Sequence, residues 1–296
     1  DIPEMFEKQG FASHILRAFG LKDRGTDLKE WNGFVDKIKT NTQEIKIGVV
    51  GKYFSTGDFT LSDAYISVLE AIKHAGAEVG VKPKIEWLNS EKYEGALREL
   101  SGFHGIIIPG GFGSRGIEGK IAVIEYVRKH KIPYLGICYG MQCAVIEYAR
   151  NVIGWTDAHT TEIDPDTKKP VVHVMAAQRD KLDNKNYGGT MRLGSYPCKL
   201  DPDSVSARVY GSSLVHERHR HRYEFNNMYR EAMGNADLVF AGTSPDARLV
   251  EIIGVKDHPF FVGVQFHPEF QSRPLKPHPL FVGLLEAGKS QKAVIE

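Results

Sequence analysis

The sequence predicts an α/β fold in which helices cover both faces of a mostly parallel central sheet. From residue 45 onward, short apolar runs typical of buried strands alternate with longer amphipathic runs typical of helices. Several of the short runs are almost continuously apolar, as in strands that are covered on both faces. Because such a repeat places parallel strands side by side, we expect functional residues at the carboxyl ends of the strands.

The predicted elements follow one another in regular order along the chain. The strands are predicted at 45–50, 84–88, 105–109, 132–137 and 260–266, and the helices at 61–74, 93–100, 119–131 and 141–150. Ser62 or Asp63 would cap the first of these helices. Residues 1–44 differ, because their apolar side chains recur at helical spacing and form no strand pattern. We therefore expect N-terminal connector helices over 1–44 and one large domain over 45–296.

Composition excludes several classes of function. The 38 lysine and arginine residues nearly balance the 37 acidic residues, so bulk charge gives no case for binding nucleic acid or a membrane surface. The three cysteines show no C-x-x-C spacing, and no apolar run reaches the roughly 18 residues of a membrane span. The chain opens with Asp1 and no secretory signal, so we expect a processed or excised piece of a cytoplasmic protein.

One cysteine is flanked by glycines two residues away on each side. Cys138 lies between Gly136 and Gly140, where a predicted strand meets a predicted helix. This is the G-x-nucleophile-x-G pattern of a tight strand-to-helix turn, and the helix N-terminus favours the thiolate form. A buried structural cysteine is the alternative, but the spacing of the glycines favours a nucleophile.

A second glycine cluster follows the strand predicted at 105–109. Residues 111–116 match G-x-G-x-x-G, which can bind a dinucleotide, but the next strand ends at the cysteine turn rather than at an acidic residue. The cluster also lacks the G-x-x-x-x-G-K pattern of a phosphate-binding P-loop, because Ile117 follows Gly116 where the motif requires a lysine. The cluster is better interpreted as a loop of backbone N–H groups that face the thiolate and form an oxyanion hole.

A cysteine nucleophile requires a base, and the end of the last predicted strand offers one. His267 follows that strand, and Glu269 lies two residues further on. If the chain stays extended, both side chains point to the same side, so that the carboxylate can orient the imidazole.

Residues 217–227 are rich in arginine and histidine. No cysteine or carboxylate lies at the spacing that a zinc site needs, so no metal site is predicted. On a strand, Arg218, Arg220 and Arg222 would share one face, and one of them could bind a substrate carboxylate. A solvated basic surface remains the alternative.

Taken together, these motifs resemble the class I, or triad, glutamine amidotransferases, whose fold is flavodoxin-like. The resemblance narrows to the glutaminase domain of the CTP synthase family and covers nearly the whole chain. The family motifs lie at 109–113, 136–142 and 267–269, and the narrower resemblance is carried by 15–31, 115–120, 188–194, 217–227 and 266–274.

The resemblance implies a catalytic triad and an oxyanion hole. Cys138 would attack the side-chain amide of glutamine, His267 would act as base and then as acid, and Glu269 would orient His267. The backbone amides of Gly111 and Tyr139 would form the oxyanion hole. Relatives often carry an aliphatic residue at position 139, but a backbone donor should tolerate the change.

The resemblance also implies the residues that hold the substrate L-glutamine. Glu162 would bind its amino group and Arg222 its carboxylate. Gly110, Phe112 and Gln142 would line the same pocket.

The expected partners follow from the same resemblance. Ammonia would pass to a synthase domain of the same polypeptide, absent from this chain, that converts UTP to CTP. ATP and Mg²⁺ would be needed only there, and this domain would need no cofactor. GTP would be an allosteric activator, with Arg192 as its candidate contact, and the full-length enzyme would be a homotetramer. Residues 175–187 would form a lid loop.

Two other functions stay open from the sequence. The chain could be a catalytically idle docking or assembly module, or it could serve another amidotransferase such as a GMP or anthranilate synthase. The motifs at 188–194 and 217–227 argue against the second of these.

Overall fold

The computed structural model describes residues 2–51, 55–56, 59–60, 65–94, 97–174 and 191–295. The chain begins with three helices, α1 (Ile2–Lys8), α2 (Phe11–Ala18) and α3 (Lys29–Thr40), and the first strand follows as β1 (Glu44–Gly51). The helical spacing of apolar residues in the first forty positions therefore corresponds to helices, as predicted.

Strands interspersed with helices make up the rest of the described chain. The strands that follow are β2 (Ser55–Thr56), β3 (Phe59–Thr60), β4 (Lys82–Asn89), β5 (Gly105–Ile108), β6 (Tyr134–Ile137), β7 (Ala158–Thr160), β8 (Lys169–Val174), β9 (Arg192–Leu200), β10 (Leu214–His221), β11 (Tyr223–Phe225), β12 (Leu238–Thr243), β13 (Val250–Val255) and β14 (Phe261–Val264). The helices that follow are α4 (Ile66–Val79), α5 (Ile117–Lys129), α6 (Tyr139–Asn151), α7 (Val205–Tyr210), α8 (Arg230–Gly234) and α9 (Pro279–Ile295).

A nine-stranded sheet has the order β10-β9-β12-β13-β14-β6-β5-β1-β4. The five strands from β14 to β4 are mutually parallel, as predicted, and they carry the cysteine turn. The other four pairings are antiparallel, and the sequence analysis did not identify their strands β9, β10, β12 and β13. Antiparallel strands need only short connections, so this half of the sheet lacks the β-α repeat that reveals parallel strands.

Side chains from the two faces of the sheet fill two separate apolar clusters. In β5, Ile106 and Ile108 point into one cluster and Ile107 into the other, and all three are fully buried. Helices α5 and α6 cover the first cluster, whereas α4 and α9 cover the second. The predicted two-sided layer of helices is confirmed.

Some predicted boundaries were wrong. Two 3-10 turns, Ser90–Glu94 and Arg98–Gly102, take the place of the helix predicted at 93–100. Residues 95 and 96 between them lie outside the described residues. The sequence places a glycine at position 95, and glycine has a low helix propensity. Helix α4 begins later than predicted, and its predicted caps, Ser62 and Asp63, lie outside the described residues. Among the described helices, none has the length and apolar character needed to cross a membrane.

Candidate active site

Three neighbouring parallel strands end at the same edge of the sheet. The order β14-β6-β5 places the carboxyl ends of these strands side by side. The glycine-rich loop follows β5, Cys138 follows β6, and His267 lies three residues beyond β14. Three motifs that are far apart in the sequence therefore meet at one place.

The turn at Cys138 has the geometry of a nucleophile elbow. Cys138 precedes α6 directly and has φ 49° and ψ −95°, a backbone conformation that residues other than glycine rarely adopt. A β-carbon on Gly140 would lie 2.3 Å from the carbonyl oxygen of Ile108, and one on Gly136 would lie 2.5 Å from Oη of Tyr134. Both positions therefore require glycine, as predicted, because neighbouring atoms of Ile108 and Tyr134 lie too close for a side chain.

The backbone N–H of Cys138 already has a partner. It donates to the carbonyl oxygen of Val264 in β14 at 2.6 Å. It is therefore not available to an oxyanion. The next N–H, that of Tyr139, belongs to the first turn of α6, where N–H groups have no partner within the helix.

His267 and Glu269 form a direct pair. Nδ1 of His267 lies 2.8 Å from Oε1 of Glu269, and both side chains are mostly buried. The chain does not stay extended here, because a 3-10 turn over Pro268–Phe270 brings the carboxylate to the ring. The backbone N–H of His267 donates to the carbonyl oxygen of Arg218, and the ring of Phe270 stacks on the imidazole.

The pKa of His267 is set by opposing effects. Burial disfavours the charged imidazolium, but hydrogen bonds with Cys138 and Glu269 outweigh burial and raise the pKa of His267 to about 10. Gly110 lies against both reacting side chains: a β-carbon there would be 2.7 Å from Cε1 of His267 and 3.7 Å from Cβ of Cys138. Cysteine, histidine and glutamate thus lie together in the arrangement that a triad of nucleophile, base and orienting carboxylate requires.

A cavity of about 610 Å³ opens above this triad. Phe112 also lines it and is 69% exposed. The other residues that the sequence analysis assigned to the site and that line the cavity are Gly110, Gly111, Cys138, Gln142, Glu162, Arg222, His267 and Glu269. Tyr139, the other residue assigned to the oxyanion hole, does not line the cavity.

The model of the class-I glutamine amidotransferase family matches residues 60–287. The chain belongs to this family. It is 52% identical over 288 residues to the CTP synthase of Caldanaerobacter subterraneus subsp. tengcongensis, covering 97% of this chain and 52% of that protein. The chain thus spans about half the length of the curated relatives that it matches.

Solved structures agree with this assignment. The glutaminase domain of Trypanosoma brucei CTP synthase, solved with bound acivicin, is 38% identical and superimposes with a TM-score of 0.76, covering 83% of this chain and 94% of that one. A protein from Thermoplasma acidophilum described as a GMP synthase subunit is only 18% identical, with a TM-score of 0.51 and coverage of 85% and 97%, and it shows the shared fold alone. Within the amidotransferases, the chain is of the CTP synthase glutaminase type.

The acidic and basic side chains that line the amidotransferase cavity include Glu162 and Arg222, whose charges suit the two ends of an amino acid. Glu162 follows strand β7, and its Oε1 accepts a hydrogen bond from the backbone N–H of Gly113 at 2.9 Å. Arg222 lies in the bend between β10 and β11. The predicted arginine face is confirmed only in part. Arg218 and Arg220 lie on the exposed face of β10, which ends before Arg222, and Arg220 also lines the cavity.

A buried residue in contact with Cys138 was missed by the sequence analysis. Gln265 is fully buried, and its Nε2 lies 3.6 Å from Sγ of Cys138. Its Oε1 accepts a hydrogen bond from Gln142, which also donates to the carbonyl oxygen of Tyr223 at 3.0 Å. The sequence offered one signal for this residue, namely a polar amide side chain within the otherwise apolar run at 260–266.

Arg192, the candidate contact for GTP, is buried at the start of β9. Its guanidinium lies 2.7 Å from Oε1 of the fully buried Glu251 and is in contact with His219. The preceding residues 188–190 and the predicted lid at 175–187 lie outside the described residues. A role for Arg192 toward GTP stays a prediction.

Metal-binding side chains do not gather in the described part of the chain. No group of three or more histidine, cysteine, aspartate or glutamate residues is arranged there to hold an ion.

Proposed function

We propose that this chain hydrolyses L-glutamine to glutamate and ammonia, and that it supplies the ammonia to a synthase domain that converts UTP to CTP. The observation that carries the proposal is the Cys138–His267–Glu269 triad beneath a cavity lined by Glu162 and Arg222. An assembled triad gives no support to an idle docking module, and the relatives favour CTP synthase over other amidotransferases.

The first half of the reaction forms a thioester. The Cys138 thiolate attacks the side-chain amide carbon of glutamine, and the backbone N–H groups of Tyr139 and Gly111 stabilise the resulting oxyanion. The His267 imidazolium then gives its proton to the amide nitrogen. The carbon–nitrogen bond breaks, and ammonia leaves.

The second half releases glutamate. Neutral His267 takes a proton from water, and the hydroxide formed attacks the thioester carbon. The carbon–sulfur bond breaks, glutamate leaves, and the thiolate and imidazolium are restored. Glu269 accepts the Nδ1 hydrogen bond throughout, so that Nε2 is the atom that exchanges protons.

Recognition of the free amino acid uses charge complementarity. Glu162 holds the substrate ammonium and Arg222 its carboxylate, while Gly110, Phe112 and Gln142 contact the rest of the substrate. A carboxylate paired with a guanidinium forms strong, oriented hydrogen bonds.

The remaining parts of the proposal concern the whole enzyme. The glutaminase step needs no cofactor, and ATP and Mg²⁺ act in the synthase domain. GTP activates the enzyme, with Arg192 as candidate contact, and the full-length enzyme is a cytoplasmic homotetramer. The balanced charge of the chain supports the absence of nucleic acid and membrane partners.

Labelling with 6-diazo-5-oxo-L-norleucine, an electrophilic glutamine analogue, tests the proposal. Mass spectrometry should find one adduct on Cys138 that excess glutamine blocks, and glutamine hydrolysis should be lost in Cys138→Ser. The buried thiols of Cys143 and Cys198 are internal controls within the same chain. Equal labelling of all three cysteines, or no adduct on folded protein, would refute the proposed function.

A further inference from the structure

The glycine-rich loop is held at one residue from two sides. We define the oxyanion loop as residues 109–113. The side-chain hydroxyl of Tyr139 donates to the carbonyl oxygen of Gly113 at 2.6 Å, and the backbone N–H of Gly113 donates to Glu162 at 2.9 Å. Gly113 has φ 78°, a left-handed conformation that glycine adopts without strain. Both polar groups of the residue that ends the loop are thus engaged.

The ring of Tyr139 is fixed beneath this loop. It is 1% exposed, and its Cδ1 would lie 3.8 Å from a β-carbon on Gly111. The ammonium of the buried Lys120 lies 5.1 Å from the ring centroid. Burial, followed by the nearby Cys143 and Glu162, raises the pKa of the Tyr139 hydroxyl far above its usual range. The hydroxyl therefore stays protonated and remains a donor.

The two hydrogen bonds to Gly113 differ once glutamine is bound. Glu162 is also the proposed partner of the substrate ammonium, so its hold on Gly113 is shared with the substrate. The Tyr139 hydroxyl lies outside the cavity lining and is not shared. The bond from Tyr139 is thus the one that can hold the loop unchanged through the reaction.

We propose that Tyr139 is a positioning residue that determines the geometry of both halves of the oxyanion hole. Its backbone N–H is one of the two donors, and its hydroxyl anchors the loop that carries the other donor, Gly111. The inference rests on the proposed glutaminase function and deepens it. It assigns a function to the Tyr139 side chain, because the Tyr139 backbone N–H accounts for only one of the two donors of the oxyanion hole.

The test compares Tyr139→Phe with Tyr148→Phe in the full chain. Tyr148 is a matched control: it lies on the same helix α6, is buried, and donates its hydroxyl to the carbonyl oxygen of Ala236, away from the site. Removing an oxyanion donor outright lowers kcat by roughly 10² to 10³, so loosening one should lower kcat on the order of 10-fold. We expect that fall in Tyr139→Phe, an unchanged KM for glutamine, and wild-type kcat in Tyr148→Phe.

A second measurement separates positioning from general damage. Alkylation of Cys138 by iodoacetamide forms no oxyanion, so its rate should be the same in Tyr139→Phe and wild type. If Tyr139→Phe does not fold, Tyr139→Leu, which also lacks the hydroxyl, replaces it with the same expectation. Wild-type kcat in the folded variant, or equal slowing of alkylation and turnover, would overturn the inference. A wild-type chain that neither turns over glutamine nor takes the norleucine label would instead refute the proposed function.

Discussion

Nδ1 of His267 lies 2.8 Å from Oε1 of Glu269, and this contact decides which imidazole nitrogen serves Cys138. Because Nδ1 is occupied by the carboxylate, Nε2 is left for the proton exchange with the thiol and the leaving amine that we propose. The contact also stabilises the protonated form of the imidazole.

We expect Glu269→Gln to lower kcat at neutral pH by on the order of 10² or more, since an amide does not stabilise the imidazolium or fix the ring tautomer. The pKa of His267, about 10 in the fold, exceeds its unfolded value of about 6.5. The stabilisation from the protonated ring is therefore complete below pH 6.5 and is lost as pH rises through about 10. Profiles of kcat/KM against pH should show an alkaline limb near pH 10 that moves to lower pH in the variant. An unmoved limb would contradict this role.

Two adjacent glycines in the oxyanion loop should respond differently to alanine. In Gly110→Ala, the new β-carbon would lie 2.7 Å from the His267 ring and must displace it, which we expect to lower kcat by about 10²-fold. In Gly111→Ala, the nearest atom would be 3.8 Å away, an ordinary contact, and the backbone N–H is retained. Its kcat should stay within about fivefold of wild type, because no reacting group has to move. Steady-state kinetics on both folded variants would settle the difference, and equal activities would argue against this geometry.

Gln265 should assist the nucleophile through its contact with Sγ of Cys138. We expect Gln265→Leu to slow alkylation of Cys138 by iodoacetamide at pH 7 about fivefold, because the thiolate loses a hydrogen bond worth about 1 kcal/mol. Gln271→Leu is the matched control, because its side-chain amide contacts His216 and Glu217 rather than the thiol. Identical rates in the two variants would show that Gln265 only fills space.

The buried carboxyl group of Glu224 should make the free energy of unfolding depend on pH. Burial, and then the charge of Glu251, raises the pKa of Glu224 to about 7, whereas the ordinary value is 4.5. The fold therefore favours the protonated form, and this contribution to stability is lost as pH rises from 4.5 through about 7. Between pH 5 and pH 8, wild type should lose up to about 3 kcal/mol more free energy of unfolding than Glu224→Gln.

Urea denaturation at the two pH values measures this difference. The exposed Glu70→Gln variant controls for the loss of a carboxylate without burial. If Glu224→Gln follows the wild-type pH dependence, Glu224 is not the group responsible.

Much of the site could be predicted from local sequence. The glycines around Cys138 and the strand-end positions of the glycine-rich loop and His267 depend on residues close in the chain, through backbone sterics and hydrophobic periodicity. The same reasoning failed at the helix predicted at 93–100, because the apolar pattern there spans too few residues to distinguish an α-helix from 3-10 turns. It also missed the antiparallel strands, because only turns or the short helices α7 and α8 separate them and no regular β-α repeat reveals them.

The sequence by itself determined the parallel half of the sheet, the tight turn at Cys138 and the candidate residues of the triad, because each is indicated by local spacing. Only the tertiary structure decided that β14, β6 and β5 lie side by side, that Gln265 reaches the thiol, and that the Tyr139 hydroxyl anchors Gly113. These relationships join residues up to 127 positions apart. They arise from strand order and packing of the whole core, which depend on burial summed over the chain and not on any local pattern.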